Sequence, residues 1–150
     1  MDLEQCILFR GLEPGITAKI RRLAKVRNCP CGETLFYEGD PATDLYILKD
    51  GRVELTYTLP QDPDTELLIT NIGPGENFAW SALAQGETLS SHARAVLDSS
   101  AYTIPLDELH EIFLEHPQAG YEVMTILAQQ ILRRLRETRK ELRWLHQGAR

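Results

Sequence analysis

The chain has 150 residues, 43% of them hydrophobic, and a formal net charge of −6, which is typical of one globular domain. No apolar run approaches the roughly 20 residues that a membrane-spanning helix needs. The acidic N-terminus lacks the basic region of a signal peptide. Three cysteines, an odd number, favour reduced thiols over a disulfide framework, so we expect a cytoplasmic protein.

The charge is divided unevenly along the chain. Residues 1–117 contain 9 Lys/Arg and 19 Asp/Glu, whereas residues 118–150 contain 7 and 3. A body that is mostly acidic repels the phosphate backbone of nucleic acids. We therefore expect no direct DNA binding.

Residues 1–30 predict an N-terminal helical segment. Pro14 begins a short helix that runs to Val26, with Ile16, Ile20 and Leu23 at helical spacing. Strand and turn signals then fill residues 31–104.

The strand signal is clearest between Gly32 and Leu55. Turns at Gly39-Asp40-Pro41 and Lys49-Asp50-Gly51-Arg52 separate short runs rich in branched and aromatic residues. Further along, the polar stretch from Pro60 to Thr65 predicts a solvated hairpin loop. A short helical piece is predicted from Phe78 to Leu83, before the last strands.

Two helices are predicted over residues 105–146. The first begins at Pro105 and ends before Pro117, and a long helix follows from about Gln118 to His146. Seven residues of the long helix are spaced alternately four and three apart: Met124, Ala128, Ile131, Leu135, Thr138, Leu142 and Leu145. A sustained period of about 3.5 residues is typical of a coiled coil. The pattern predicts a homodimer through this helix, with packing on the chain's own strands as the alternative.

The glycine-cornered run from Gly32 to Leu55 resembles the first half of the cyclic-nucleotide-binding domain, the sensory β-roll of catabolite activator proteins and of cAMP-dependent kinase regulatory subunits. The resemblance implies a mainly β fold with flanking helices. We expect a double-stranded β-roll, or jelly roll, with a short N-terminal helix and a long C-terminal dimerisation helix. It implies a single domain over residues 1–150. A helix-turn-helix domain follows the long helix in bacterial regulators of the family, and we expect none here because the sequence ends at Arg150.

The family holds its ligand with two residues near a short helix. The glutamate of a Gly-Glu pair takes the ribose hydroxyl, and an arginine pairs with the cyclic phosphate. Alignment of Pro74-Gly75-Glu76 places Ala79-Trp80 at the Gly-Glu pair, and counting back from Ala93-Arg94-Ala95 places Leu89 at the arginine. Aligning Gly75-Glu76 with the pair instead also leaves the arginine absent. The resemblance therefore implies that cAMP or cGMP is disfavoured as a cofactor.

The long helix supplies a second wall of the pocket in the activator-protein branch, through an Arg-Arg-Leu-x-x-Thr run. The matching residues here include Arg134 and Thr138. Because Trp80 replaces the glutamate that would pair with Arg134, this arginine extends into water, awaits an anion or makes a cation–π contact with Trp80. Arg94 lies five residues after Leu89 on a strand, so its side chain should face the opposite way.

These residues predict an altered pocket for a different, partly apolar anion. The candidate lining residues are Ala79, Trp80, Ser81, Ala82, Leu89, Ser90, Arg134 and Thr138. No catalytic site and no metal site are predicted, since Cys29-Pro30-Cys31 lacks a second pair of ligands.

Two functions follow from this pocket. The first is a dimeric sensor of a small molecule that signals through a protein partner. The second is an interaction module without a ligand, whose pocket is closed around Trp80 and Leu89. A cyclic-nucleotide receptor with atypical contacts is the third possibility.

Overall fold

A computed structural model describes residues 1–84 and 86–148. Residues 85, 149 and 150, which the single-domain prediction includes, lie outside that range. The described residues contain a short 3-10 turn, Leu3–Gln5, and four α-helices: α1 Pro14–Leu23, α2 Trp80–Leu83, α3 Leu106–Glu115 and α4 Pro117–Gly148. None of these helices is both long and apolar enough to cross a membrane.

Eight strands form two antiparallel sheets of four strands each in the described part of the chain. They are β1 Lys25–Cys29, β2 Thr34–Phe36, β3 Asp44–Asp50, β4 Val53–Leu59, β5 Asp62–Ile72, β6 Asn77–Phe78, β7 His92–Ala95 and β8 Ser99–Pro105. The strand orders are β1-β8-β3-β6 and β2-β7-β4-β5. The predicted fold, a mainly β double-stranded roll with flanking helices and a long last helix, is confirmed.

The predicted glycine turns form the corners of the roll. Gly39 and Gly51 have φ values of 91° and 94°, in the left-handed region that favours glycine. At Gly51 a Cβ atom would also lie 2.7 Å from the carbonyl oxygen of Asp98. The turn between β3 and β4 therefore requires glycine for two independent reasons.

The buried apolar residues divide into two clusters. One lies between the helices and the β3–β8 sheet and contains Leu109 and Val123, whereas the other fills the roll and contains Leu48 and Phe78. Inside the roll, the rings of Phe78 and Tyr46 lie 5.2 Å apart between centroids. The second cluster forms the floor beneath the candidate site.

Two predicted boundaries differ from the structure. Strand β1 lies inside the segment predicted to be helical, and α1 ends at Leu23 instead of Val26. The predicted loop from Pro60 to Thr65 was wrong from Asp62 onward, because β5 begins at Asp62 and pairs there with Leu59 of β4. Both strands lie at sheet edges, and most of their side chains are exposed. Because these residues are largely polar, the sequence does not show that their backbones pair with a neighbouring strand.

Helix α4 has two different apolar faces. One face packs on the domain and contains its buried residues, Ala119, Val123, Leu127 and Gln130. The seven residues of the predicted coiled-coil seam are exposed in the single chain, Leu135 to 45% and Leu142 to 61%. Every residue from Leu135 to Gly148 is exposed, so about 20 Å of helix extends beyond the roll.

Candidate ligand pocket

The short helix α2 begins from a strained residue. Ala79 precedes the helix with φ 67° and ψ 47°, the left-handed conformation that glycine adopts without cost. For a residue with a Cβ atom, that conformation is less stable than the right-handed one by roughly 1–2 kcal/mol. The backbone thus keeps the shape that the resemblance assigns to glycine, although alanine occupies the position. Strain of this kind is concentrated at functional sites.

The segment that contains Leu89 is fixed to the turn between β2 and β3. The amide of Leu89 donates to the carbonyl oxygen of Asp40, and the amide of Gly39 donates to the carbonyl oxygen of Leu89, each at 2.8 Å. Leu89 is only 5% exposed. Leu89, which the alignment matches to the phosphate arginine of the resembled family, is therefore a buried apolar residue whose backbone is held by two hydrogen bonds.

A cavity of about 200 Å³ lies between α2, the Leu89 segment and α4. Six of the eight predicted residues line it: Ala79, Trp80, Ser81, Leu89, Ser90 and Arg134. We call this cavity the ligand pocket. The hydroxyl groups of Ser81 and Ser90 lie 3.4 Å apart at its edge.

Two predicted lining residues lie elsewhere. Ala82 is fully buried in the cluster beneath the helices, because it is on the side of α2 opposite the pocket. Thr138 is exposed on α4, and its hydroxyl donates to the backbone carbonyl of Arg134 at 3.0 Å. The prediction that these two residues line the pocket is wrong for the single chain, and Thr138 remains a predicted seam residue.

Arg134 makes the cation–π contact that was one of three options from the sequence. Its Cζ atom lies 4.6 Å from the centroid of the Trp80 ring. Burial lowers the pKa of the guanidinium, and the carboxylates of Glu137 and Glu76 oppose that effect. Since a guanidinium stays protonated in proteins, the pocket wall carries a positive charge whose partner is an aromatic ring.

Arg94 does not line the pocket, as predicted from its position on the strand. It lies between the fully buried residues Ala93 and Ala95, and its guanidinium binds the carboxylate of Glu66 at 2.6 Å on the outer face. Arg94 therefore does not supply a positive charge to the pocket.

Sequence reasoning missed five residues that line the pocket: Phe36, Leu55, Ile69, Phe78 and Ser91. Four of them are apolar strand residues, and their pattern predicts burial without showing what they face. Which strands meet across the roll depends on the order of strands in the sheets. The pocket is thus more apolar than the predicted residues alone indicated.

The sequence profile of the cyclic nucleotide-binding domain matches residues 26–116. The chain belongs to the cyclic nucleotide-binding domain family. The chain is 28% identical to the CRP-like cAMP-activated global transcriptional regulator of Mycobacterium tuberculosis. The matched region covers 90% of this chain and 58% of that protein.

Solved structures agree with this assignment. The catabolite activator protein of Thermus thermophilus superposes with a TM-score of 0.75 and 30% identity, over 93% of this chain and 62% of the other. The N-terminal domain of a transcriptional regulator from Streptomyces coelicolor gives a TM-score of 0.72 and 25% identity, over 94% and 95%. The chain thus spans about three fifths of the full-length regulators that it resembles.

The cysteines of this cyclic nucleotide-binding domain provide a test of its packing. Burial raises the pKa of the Cys6 thiol to about 11 and also raises the pKa of the Cys29 thiol, whereas Cys31 is exposed. Because the thiolate is the reactive form, only about one thousandth of the Cys6 side chains are in that form at pH 8. We expect a thiol-specific disulfide reagent to modify one cysteine rapidly in the folded protein and three in denaturant.

The Cys31→Ser variant is the control for this titration and should lose the rapid phase. Two or more rapid thiols in the folded wild-type protein would contradict the packing around Cys6 and Cys29.

Proposed function

We propose that this domain is a homodimeric regulatory sensor that does not bind cAMP or cGMP in the usual way and signals through a protein partner. Its pocket would take a different, partly apolar anion. The observation that carries the proposal is the burial of Leu89 at the position of the family's phosphate arginine.

The physical argument rests on desolvation. A cyclic phosphate that enters the pocket loses its water, and without a paired cation that loss costs several kcal/mol. Arg134 is the one cation among the described residues that line the pocket, and it already lies over Trp80. An anion with an aromatic or aliphatic body suits the surfaces of Phe36, Leu55 and Leu89 better than a nucleotide does.

The exposed seam of α4 supports the dimer. A helix of about 14 residues without packing is marginal in water, yet α4 continues for that length beyond the roll. Its exposed apolar residues, including Ile131, Leu135 and Leu142, would be buried by the same helix of a second chain.

A module with a closed pocket is the second candidate, favoured by the volume of the cavity. About 200 Å³ is below the roughly 300–1,000 Å³ of most small-molecule sites. A thermal-shift series with aromatic carboxylates separates the two candidates. Stabilisation by any of them that is lost in the Arg134→Gln variant supports the sensor, whereas no stabilisation supports the closed module.

A third candidate, a receptor for cAMP with atypical contacts, is favoured by the names of the relatives. We expect calorimetric titration of the wild-type protein with cAMP and with cGMP to show no binding in the micromolar range. Micromolar binding of one nucleotide per chain would contradict our proposal and favour this receptor. The thiol titration above verifies that the protein used is folded.

A further inference from the structure

A histidine side chain holds the turn between β2 and β3. The backbone amide of Glu38 donates to Nδ1 of His92, the first residue of β7, at 3.0 Å. A backbone amide can only donate, so Nδ1 carries no proton in this contact and the neutral ring has its proton on Nε2. The ring of Tyr37 packs against the imidazole edge to face, with centroids 5.8 Å apart. The hydrogen bond therefore requires the uncharged form of His92.

The other ring nitrogen of His92 is left without a good partner. Nε2 is buried and has no hydrogen-bond partner among the residues that the structure describes. An oxygen of the Glu38 carboxylate lies 4.0 Å from it, beyond hydrogen-bond distance. Glu38 thus offers His92 two alternative partners. Its backbone amide suits the neutral ring, whereas its carboxylate suits the charged one.

The charges around His92 leave the Glu38 carboxylate as the partner of a charged ring. Backbone register and hydrogen bonds place five charged residues in this region: Glu38 and Asp40 of the turn, Glu54 of β4, Glu66 of β5 and Arg94 of β7. Arg94 binds the Glu66 carboxylate and lies opposite Glu54 in the sheet. The carboxylate of Asp40 accepts from a backbone amide of its own turn at 2.9 Å. The one cation of the group is therefore already paired and does not oppose a proton on the ring.

The position of Leu89 depends on the same turn. Its two backbone hydrogen bonds, from Gly39 and to Asp40, are made by the two residues that directly follow Glu38. Leu89 in turn lines the ligand pocket. A change in the contact between Glu38 and His92 thus reaches the pocket wall through the backbone.

We propose that His92 is a pH-sensitive latch on the turn between β2 and β3. Histidine is the side chain that changes charge between about pH 5 and 8. When a proton adds to Nδ1, two N–H groups face each other, so the hydrogen bond from the Glu38 amide breaks and Nε2–H pairs with the Glu38 carboxylate instead. The turn then releases the backbone of Leu89, and acid loosens one wall of the ligand pocket. The latch goes beyond the proposed function, because it responds to protons and needs no other ligand.

Amide hydrogen exchange followed by nuclear magnetic resonance tests the latch in the full chain. We expect the ring nitrogen signals at pH 8 to show the His92 proton on Nε2. Between pH 8 and about 5.5, the exchange rate of the Glu38 amide, corrected for the pH dependence of an unstructured amide, should rise about fivefold, the factor that corresponds to about 1 kcal/mol for one net hydrogen bond. The amide signals of Gly39 and Leu89 should change with the same midpoint as those of the His92 ring.

The His92→Asn variant is the matched control, because the side-chain oxygen of asparagine can accept from the Glu38 amide and gains no proton in this range. Its Glu38 amide should exchange at the same corrected rate at both pH values. The variant keeps Glu38, Asp40 and the other three histidines, so an effect of their titration would persist in it.

Four results would overturn the latch. They are a wild-type His92 ring protonated on Nδ1 at pH 8, a corrected Glu38 rate that does not change with pH, an equal change in His92→Asn, and a change at Glu38 that does not extend to Leu89. Because none of these measurements uses a ligand, their outcome is independent of the thermal-shift and calorimetric tests of the proposed function.

Discussion

The double variant Leu89→Arg/Trp80→Glu is expected to bind cAMP at least a hundredfold more tightly than the wild-type protein. The two changes place an arginine and a glutamate at the positions that the alignment matches to the residues with which the family holds the cyclic phosphate and the ribose. Hydrogen bonds to charged groups contribute about 1.5–3 kcal/mol each, so two of them correspond to roughly two to four orders of magnitude. Calorimetric titration of both proteins with cAMP measures the difference.

The geometry favours this outcome because the backbone of the site is retained. Leu89 is held by two hydrogen bonds to the turn at Gly39 and Asp40, and Ala79 keeps the left-handed conformation. The new glutamate would also lie near Arg134, which then has an anionic partner in place of the indole ring. We expect the double variant to be less stable than wild type without nucleotide and to recover stability when cAMP is added.

The Leu89→Gln/Trp80→Glu variant is the matched control, since glutamine supplies polar atoms without the charge. It should gain much less affinity than the arginine variant. Equal affinities in the two variants would show that position 89 does not face the phosphate. The alignment that places Leu89 there would then be wrong.

The Leu135→Glu variant is expected to abolish the dimer. Burying one leucine side chain contributes about 2 kcal/mol, and a symmetric interface contains two copies, so the dissociation constant should rise by about a thousandfold. Repulsion between the paired carboxylates adds to this effect. Sedimentation equilibrium gives the constant, and far-ultraviolet circular dichroism should show loss of helix, because the part of α4 beyond the roll then lacks support.

The Gln129→Glu variant introduces the same charge on an exposed residue of α4 away from the seam, so it should remain dimeric. A wild-type protein that is monomeric at micromolar concentration would rule out the proposed dimer. A dimer that survives Leu135→Glu unchanged would show that the chains associate through another surface.

Much of the fold could be predicted because its signals are local. The glycine at position 51 is required by its own φ value, and Pro105 and Pro117 mark helix starts that the structure has within one residue. The missed strand β1 and the missed beginning of β5 lie at sheet edges where most side chains face solvent. Pairing there involves only the backbone, and the pattern of polar and apolar residues does not report it.

The candidate site was predictable to a smaller degree. Alignment placed Trp80, Leu89 and Arg134 in one region, because their spacing follows a known motif. The exposure of Thr138 depends on how α4 lies against the roll. That orientation is set by long-range packing of residues such as Leu127, which no local pattern specifies.

Arg134 and Leu135 are consecutive residues of one continuous helix, and their side chains point about 100° apart. The first contacts Trp80 and the second lies on the exposed seam. A rotation of α4 that moves the guanidinium must also move the leucine. By thermodynamic reciprocity, a ligand that displaces Arg134 would change self-association, and self-association would change the ligand's affinity by the same factor. The apparent affinity of such a ligand would then vary with the concentration of the protein itself.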